Sequence, residues 1–341
     1  MQAKGATLPL PSLMPELPEV EHLRRTIEPR LLGRTVTRIE VRRADVCKVW
    51  RAPAHGEDAA PSASRGLSSA RQGLQRLQPD PATLHAALLL GHTFTGTQRR
   101  GKELALVAAA AGCARVLCVH LGMTGQLRWH ATPPTFAPKA HVHVLWELDG
   151  GERVPAAGSK IPGGFMTFAD PRRFGGLACL DSAGDLAHRW RAMGLDALTT
   201  PPDDLAAALV AELGRANRAV KAALLDQRVV AGVGNIYADE ALFAARILPR
   251  KLARRLSPDR VRLLATHLRA ILIRAVEAGG STLRDYVNAE GDRGQAQTLH
   301  QVYGRGGLPC LACGLSLQTA QIAQRTTVWC RACQRDRRDW T

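Results

Sequence analysis

No run of roughly 18 consecutive apolar residues occurs in the 341-residue chain, so no segment is long and apolar enough to read as a membrane span. Residues 1–13 hold one lysine and no long apolar core, and they do not read as a secretion signal. Acidic residues are scarce: 30 Asp and Glu stand against 46 Lys and Arg, a net charge of +16. A chain with that surplus favours a polyanionic partner. Of the 8 cysteines, Cys47, Cys113, Cys118 and Cys179 are scattered, and with no secretion signal they are expected to be reduced and partly buried.

The length suits about two domains. Val20, Leu23, Ile27 and Leu31 recur at helical spacing from Pro15 to about Arg30, and Thr35–Val41 reads as a strand. Residues 51–82 are rich in Ala, Ser, Pro, Gly and Arg with little periodicity and read as a flexible insertion; 150–163 reads as a second, Gly/Pro-rich one. Short β-like runs at 104–108, 115–120, 141–148, 164–168 and 176–179 predict an all-β sandwich. Helical spacing follows over 202–213, 216–225, 235–245 and 258–278, with a tight glycine turn at 229–234. The last stretch turns β-like again around four cysteines.

Three features carry chemistry on their own residues. Cys310-x2-Cys313 and Cys330-x2-Cys333, sixteen residues apart, have the spacing of a structural zinc site closed by four thiolates. Gly232-Val233-Gly234-Asn235 opens a helix, where free amides and an Asn cap can bind a phosphate. The octapeptide Met14-Pro15-Glu16-Leu17-Pro18-Glu19-Val20-Glu21 is the third. If translation starts at Met14 and the initiator is removed, Pro15 becomes a free secondary amine with a pKa near ~8. Such an amine attacks a sugar aldehyde carbon and leaves an iminium, an electron sink for eliminating a neighbouring phosphate. Glu16 and Glu19 would supply proton transfer.

That octapeptide is joined by Arg99-Arg100-Gly101-Lys102, His120-Leu121-Gly122-Met123-Thr124-Gly125, Asp170-Pro171-Arg172-Arg173-Phe174-Gly175, Val233-Gly234-Asn235-Ile236-Tyr237-Ala238 and the cysteine cluster. In that order, from residue 14 to about residue 335, the set resembles the bacterial formamidopyrimidine-DNA glycosylase family. The resemblance implies an α+β multidomain fold: an N-terminal β-sandwich with flanking helices over 14–185, a helix-two-turn-helix domain over 186–295, and a zinc ribbon over 296–341, with 1–13 a non-native or mis-started extension. It implies removal of oxidised purines from duplex DNA and cleavage of the abasic site by β,δ-elimination through a Pro15 Schiff base. Glu16 becomes the acid/base at the sugar ring oxygen and Glu19 its support; Lys102 assists elimination, and Arg325 is the arginine of the zinc finger. Met123 and Phe174 would fill the void left by a flipped nucleotide, and Arg172 would bond the orphaned cytosine. Arg173, His141, Lys221 and Asn235 complete the expected DNA contacts. Two departures stand out: Asn217 where the family often has lysine, and no acid between His141 and His143.

The expected cofactor is one structural zinc ion, and the expected partner is double-stranded DNA bearing oxidised purines or abasic sites. The protein is expected to act as a cytoplasmic monomer, with no membrane partner. Two rival readings are an endonuclease VIII-type enzyme for oxidised pyrimidines, disfavoured by Leu17, Arg172 and Phe174, and a non-catalytic zinc-bearing DNA-binding protein, which follows if residues 1–13 stay attached.

Overall fold

A computed structural model describes residues 14–50, 74–76, 80–136, 140–150, 162–282 and 286–335; residues 1–13 and most of both expected insertions lie outside the described residues. The chain opens with α1 (Leu17–Leu31), with Pro18 in its first turn, where a missing N–H costs nothing. Leu17, Val20, Leu23, Ile27 and Leu31 are all buried on one stripe, as the helical spacing predicts.

The strands β1 (Thr35–Val41), β2 (Cys47–Trp50) and β3 (Leu74–Arg76) lead to α2 (Pro81–Ala87). Both β3 and the start of α2 fall inside the stretch expected to be a structureless insertion. The Asp80 carboxylate accepts the amides of Ala82 and Thr83, an N-cap that the low hydrophobic periodicity of the region concealed. Then come β4 (Thr93–Arg100), β5 (Glu103–Ala110), β6 (Cys113–His120), β7 (Gln126–His130), β8 (Val142–Asp149), β9 (Gly164–Ala169) and β10 (Gly176–Leu180).

These ten strands form one hydrogen-bonded ladder in the order β3-β2-β10-β6-β5-β4-β1-β8-β9-β7. The β1–β4 junction is a single register pair, Thr35 with Thr93. The two halves of the ladder fold over that hinge and share one apolar core with α1: Leu104, Leu106 and Val119 come from one half, Val144, Trp146 and Phe168 from the other. The sandwich is thus a single sheet folded on itself. Its outer face is covered by α3 (Ala183–Arg191), which sequence periodicity did not resolve as a helix; Leu186 and Trp190 pack there on Ala105, Val116 and Leu180.

A short parallel pair, β11 (Leu195–Asp196) with β12 (Val230–Ala231), stitches the chain entering the helical region to the turn before its key helix. That region contains α4 (Pro202–Arg215), α5 (Val220–Leu224), α6 (Asn235–Ala244) and α7 (Pro258–Glu277). The helix expected over 216–225 is only five residues long, and Ala216 is the extended cap that ends α4. The helices enclose a second core of Leu209, Leu213, Tyr237, Leu242, Leu264 and Leu268, and Leu17 belongs to it. The first turn of α1 therefore packs in the helical body while the rest of α1 packs in the sheet body. That division places Glu16 at the seam between them. The chain closes with the hairpin β13 (Gln318–Ile322) and β14 (Arg325–Trp329) above the cysteines. No described helix is long and apolar enough to cross a membrane.

Candidate active site

At the seam, the amide of Leu17 donates to the Gly232 carbonyl at 3.1 Å and seats the N-terminus of α1 on the turn that opens α6. Gly232 has φ of +96°, and a Cβ there would lie 2.5 Å from Leu17 Cδ1, so only glycine allows the approach. The Glu16 carboxylate then takes the free amides of α6, from Gly234 at 2.8 Å and Ile236 at 2.9 Å. These are the amides expected to hold a phosphate. The side chain of Glu16 reaches them first, because an anion is as well placed there as a phosphate would be. Asn235 is not the cap either; Gly234 is, and Asn235 starts the helix with its Nδ2 donating to the Thr326 carbonyl at 3.0 Å.

Glu16 is 2% exposed. Burial pushes its carboxyl from the ordinary value up to about 7; Lys102 opposes that rise and Glu19 adds to it. A Cβ on Gly234 would stand 2.4 Å from Glu16 Oε1 and 2.6 Å from Lys102 Nζ, so these two groups flank the same glycine. Burial pulls the Lys102 ammonium below its ordinary range, while Glu16 and Glu19 pull it back. Lys102 is held by a turn whose Gly101 packs on Gly232; Arg99 bonds the Gly101 carbonyl, and Asp196 accepts the Gly101 amide at 2.8 Å. Glu19 accepts from the Glu16 amide at 2.9 Å, the Ser281 amide at 2.6 Å and the Tyr237 hydroxyl at 2.7 Å. Pro15 is buried beside these groups at the head of α1.

The hairpin comes to the same place. Ala323 and Gln324 both have positive φ, a two-residue turn of the kind that matches strand twist, and Arg325 follows it, exposed. Arg325 lies close enough to Lys102 and Lys221 to lower the proton affinity of both. Lys221, expected among the DNA contacts, is 0% exposed. It ion-pairs with Asp239 at 2.7 Å and donates to Thr327 Oγ1 at 2.8 Å, so its charge is spent inside the protein anchoring the hairpin to α6.

A second cluster gathers Met123, His141, Arg172, Arg173 and Phe174. Its organiser is Asp170, 0% exposed, which accepts from Thr124 Oγ1, the Gly175 amide at 2.7 Å and the Arg172 amide. The Asp170 amide in turn donates to the His141 carbonyl. Gly122 has φ of +60°, and a Cβ there would meet the Gly175 nitrogen at 2.4 Å, so the two turns interlock backbone to backbone. Arg172 stacks over the Phe174 ring at 4.9 Å, and Phe174 is 52% exposed, an apolar side chain held in the open. His141 is exposed, whereas His143 is buried with its ring against the Asp170 carbonyl at 2.8 Å, which separates the two histidines. Arg173 adopts φ of +58°, a conformation that costs a non-glycine residue roughly 1–3 kcal/mol.

The four sulfurs of Cys310, Cys313, Cys330 and Cys333 lie within 4.8 Å of one another. Tetrahedral thiolates around zinc, with bonds of ~2.3 Å, stand ~3.8 Å apart; the Cys310–Cys333 and Cys313–Cys330 separations are 3.9 and 3.4 Å. The cluster fits a metal ion. The four remaining cysteines are free, and all but Cys113 are buried.

Sequence reasoning assigned no role to Asp170, Tyr237, Asp239 or Ser281. A signal existed for two of them: Tyr237 and Asp239 are polar groups in α6, a helix otherwise buried on all sides.

A folded-over sheet and a helical body thus meet at a sealed carboxylate, with a cysteine-held hairpin over it. Sequence models of the formamidopyrimidine-DNA glycosylase N-terminal domain match residues 14–73 and 68–177, and that of the formamidopyrimidine-DNA glycosylase H2TH domain matches 193–287. The formamidopyrimidine-DNA glycosylase of Thermomicrobium roseum is 38% identical over 323 residues, covering 94% of this chain and 99% of that protein. That of Nitratidesulfovibrio vulgaris is 42% identical over 246 residues, 72% of this chain and 62% of that protein. The crystal structure of the Thermus thermophilus MutM (Fpg) protein superposes with a TM-score of 0.68 at 33% identity, covering 94% of this chain and 98% of that one. The complex of Lactococcus lactis Fpg with DNA containing an abasic site gives 0.71 at 27% identity, covering 94% and 100%. The chain belongs to the formamidopyrimidine-DNA glycosylase family.

Proposed function

We propose that this protein is a base-excision repair enzyme that removes oxidised purines, 8-oxoguanine and formamidopyrimidines, from duplex DNA and then cleaves the abasic site. The observation that carries the reading is Glu16: a sealed carboxyl with its pKa raised to about 7, one residue from Pro15 and flanking Gly234 with Lys102. An acid of that strength can give and take a proton near neutral pH.

The reaction begins once Pro15 is freed of Met14 and what precedes it. Its amine bonds to C1′ as the bond from C1′ to the base breaks, and the amine's proton leaves with the base; Glu16 then protonates the sugar ring oxygen as the C1′–O4′ bond breaks and the ring opens to the iminium. The resulting iminium draws electrons from the C2′–H bond, whose proton passes to the carboxylate that Glu16 has become, and the 3′ phosphate leaves; a second elimination releases the 5′ phosphate. Lys102 and Arg325 supply positive charge to the departing phosphates. Met123 and Phe174 fill the gap of the extruded nucleotide, with Arg172 on the orphaned base. Arg173, His141 and Asn235 serve the backbone, and Lys221 supports the hairpin from within. The four cysteines hold one zinc ion, whose role is to fold the hairpin that carries Arg325. The domain limits follow as 14–185, 186–295 and 296–341. Because its substrate is chromosomal DNA, the enzyme works in the cytoplasm, as a monomer.

Duplexes carrying 8-oxoguanine opposite cytosine and thymine glycol test the substrate class. Faster release of 8-oxoguanine is the expected result; a preference for thymine glycol would favour the endonuclease VIII-type reading instead.

A further inference from the structure

Glu19 is 1% exposed, and burial pushes its carboxyl above the ordinary carboxylate range. A carboxyl so enclosed exchanges protons only through its hydrogen-bond partners. Two of those partners are backbone amides, which keep their protons; the third is the Tyr237 hydroxyl. Tyr237 Oη lies 3.3 Å from Ser281 Oγ, and Ser281 Oγ lies 3.1 Å from His300 Nε2. Because Tyr237 donates to Glu19, its oxygen accepts from Ser281, and Ser281 accepts from His300. Exposure rises from 1% at Tyr237 through 6% at Ser281 to 9% at His300. The chain runs one way, from the outer end inward, across α1, α6, the turn after α7 and the segment leading to the cysteines.

We propose that His300, Ser281 and Tyr237 form a proton relay between solvent and Glu19. The proposal rests on the reading of Glu16 and Glu19 as the acid pair of the active site. In one passage Tyr237 gives its hydroxyl proton to Glu19 Oε1, Ser281 gives its own to Tyr237, and His300 Nε2 gives its own to Ser281. A proton from solvent binds His300 Nδ1. The net change is one proton moved from water to the Glu19 carboxylate, with His300 left in its other neutral tautomer; nothing is oxidised or reduced. Burial pulls the His300 ring down to about 4, so it is neutral at pH 7 and can pass protons by exchanging tautomers. The Tyr303 ring packs edge-on against it at 5.7 Å and holds its plane.

The relay matters because Glu19 raises the proton affinity of Glu16, and Lys102 feels both carboxylates. Protonating Glu19 removes that negative charge and makes Glu16 a better donor. The relay thereby tunes the acidity of Glu16 between base loss and strand cleavage, without opening the site to water.

Single-turnover cleavage of abasic-site DNA, with DNA affinity measured alongside, separates a relay from a structural hydrogen bond. Wild-type cleavage and borohydride trapping in the same assay check the parent reading independently. His300→Ala should slow cleavage roughly tenfold or more at unchanged affinity, and added imidazole should restore the rate. His300→Gln, which can still donate to Ser281 but cannot exchange tautomers, should stay slow. A wild-type rate in His300→Ala, no response to imidazole, or full recovery in His300→Gln would each overturn the relay. If His300→Ala does not fold, Tyr237→Phe breaks the chain while filling the same space, and a normal rate there overturns the proposal equally.

Discussion

Burial, the ammonium of Lys102 and the carboxylate of Glu19 set the behaviour of Glu16, which the amides of α6 hold in place. Its pKa near 7 sets one limit on the reaction, and a Pro15 amine of ~8 sets the other. The working form needs Glu16 protonated and Pro15 neutral, so base excision should peak between those values. It should fall about tenfold per pH unit on the acid side as the amine protonates, and likewise on the alkaline side as Glu16 loses its proton. Glu16→Gln should lose most 8-oxoguanine excision, retain part of the cleavage of a ready-made abasic site, and lose the alkaline limb. A variant profile that still falls above pH 8 would assign that limb to another group. The Pro-Glu frame made Glu16 legible in the sequence. Its seat was not legible, because the amides that hold it lie 218 and 220 positions further along the chain.

At the scale of elements, the hairpin β13–β14 depends on what lies beneath it. The Asp239 carboxylate accepts the Val328 amide at 3.0 Å, Lys221 bonds Thr327, and the four cysteines close the base. Zinc at the cysteines should measure about one per chain. Chelation, or Cys313→Ser, should release the hairpin and abolish DNA binding while the folded-over sheet keeps its thermal transition, because structural metal binding is also folding energy. Metal-free protein with full DNA affinity would refute this. The metal-ligand spacing of the four cysteines was readable from those residues alone, whereas the burial of Lys221 was not: one lysine on a short helix carries no sign of an aspartate eighteen positions away on the next. α3 and α2 escaped notice because each is short, with nine and seven residues, and their apolar positions are too few to establish a period. The sandwich was legible as strands; its closure through the one pair Thr35–Thr93 was not, since register at a single pair leaves no alternation to read.

Across the whole molecule, the excess positive charge meets DNA through a limited set of free groups. Arg172, Arg173 and Arg325 are exposed, and Lys102 faces the site; Lys221 and the α6 amides are committed internally. With Arg172 on the orphaned base, about three neutralised phosphates should give a log–log salt slope of roughly −2 to −3. A flat response would contradict the electrostatic account, and a much steeper one would mean that other arginines of the net +16 charge also reach the backbone. The split of α1 between two cores governs everything else, since Leu17 in the helical core and Val20 in the sheet core hold Pro15 and Glu16 at their boundary. In the proposed mechanism Pro15 works as a free N-terminal amine. Borohydride reduction of the natural protein on abasic-site DNA, followed by peptide mapping of the cross-link, tests it directly. The expected cross-link is at Pro15 as the N-terminal residue; a cross-link at Lys102 or any other lysine in active enzyme would contradict the proline mechanism.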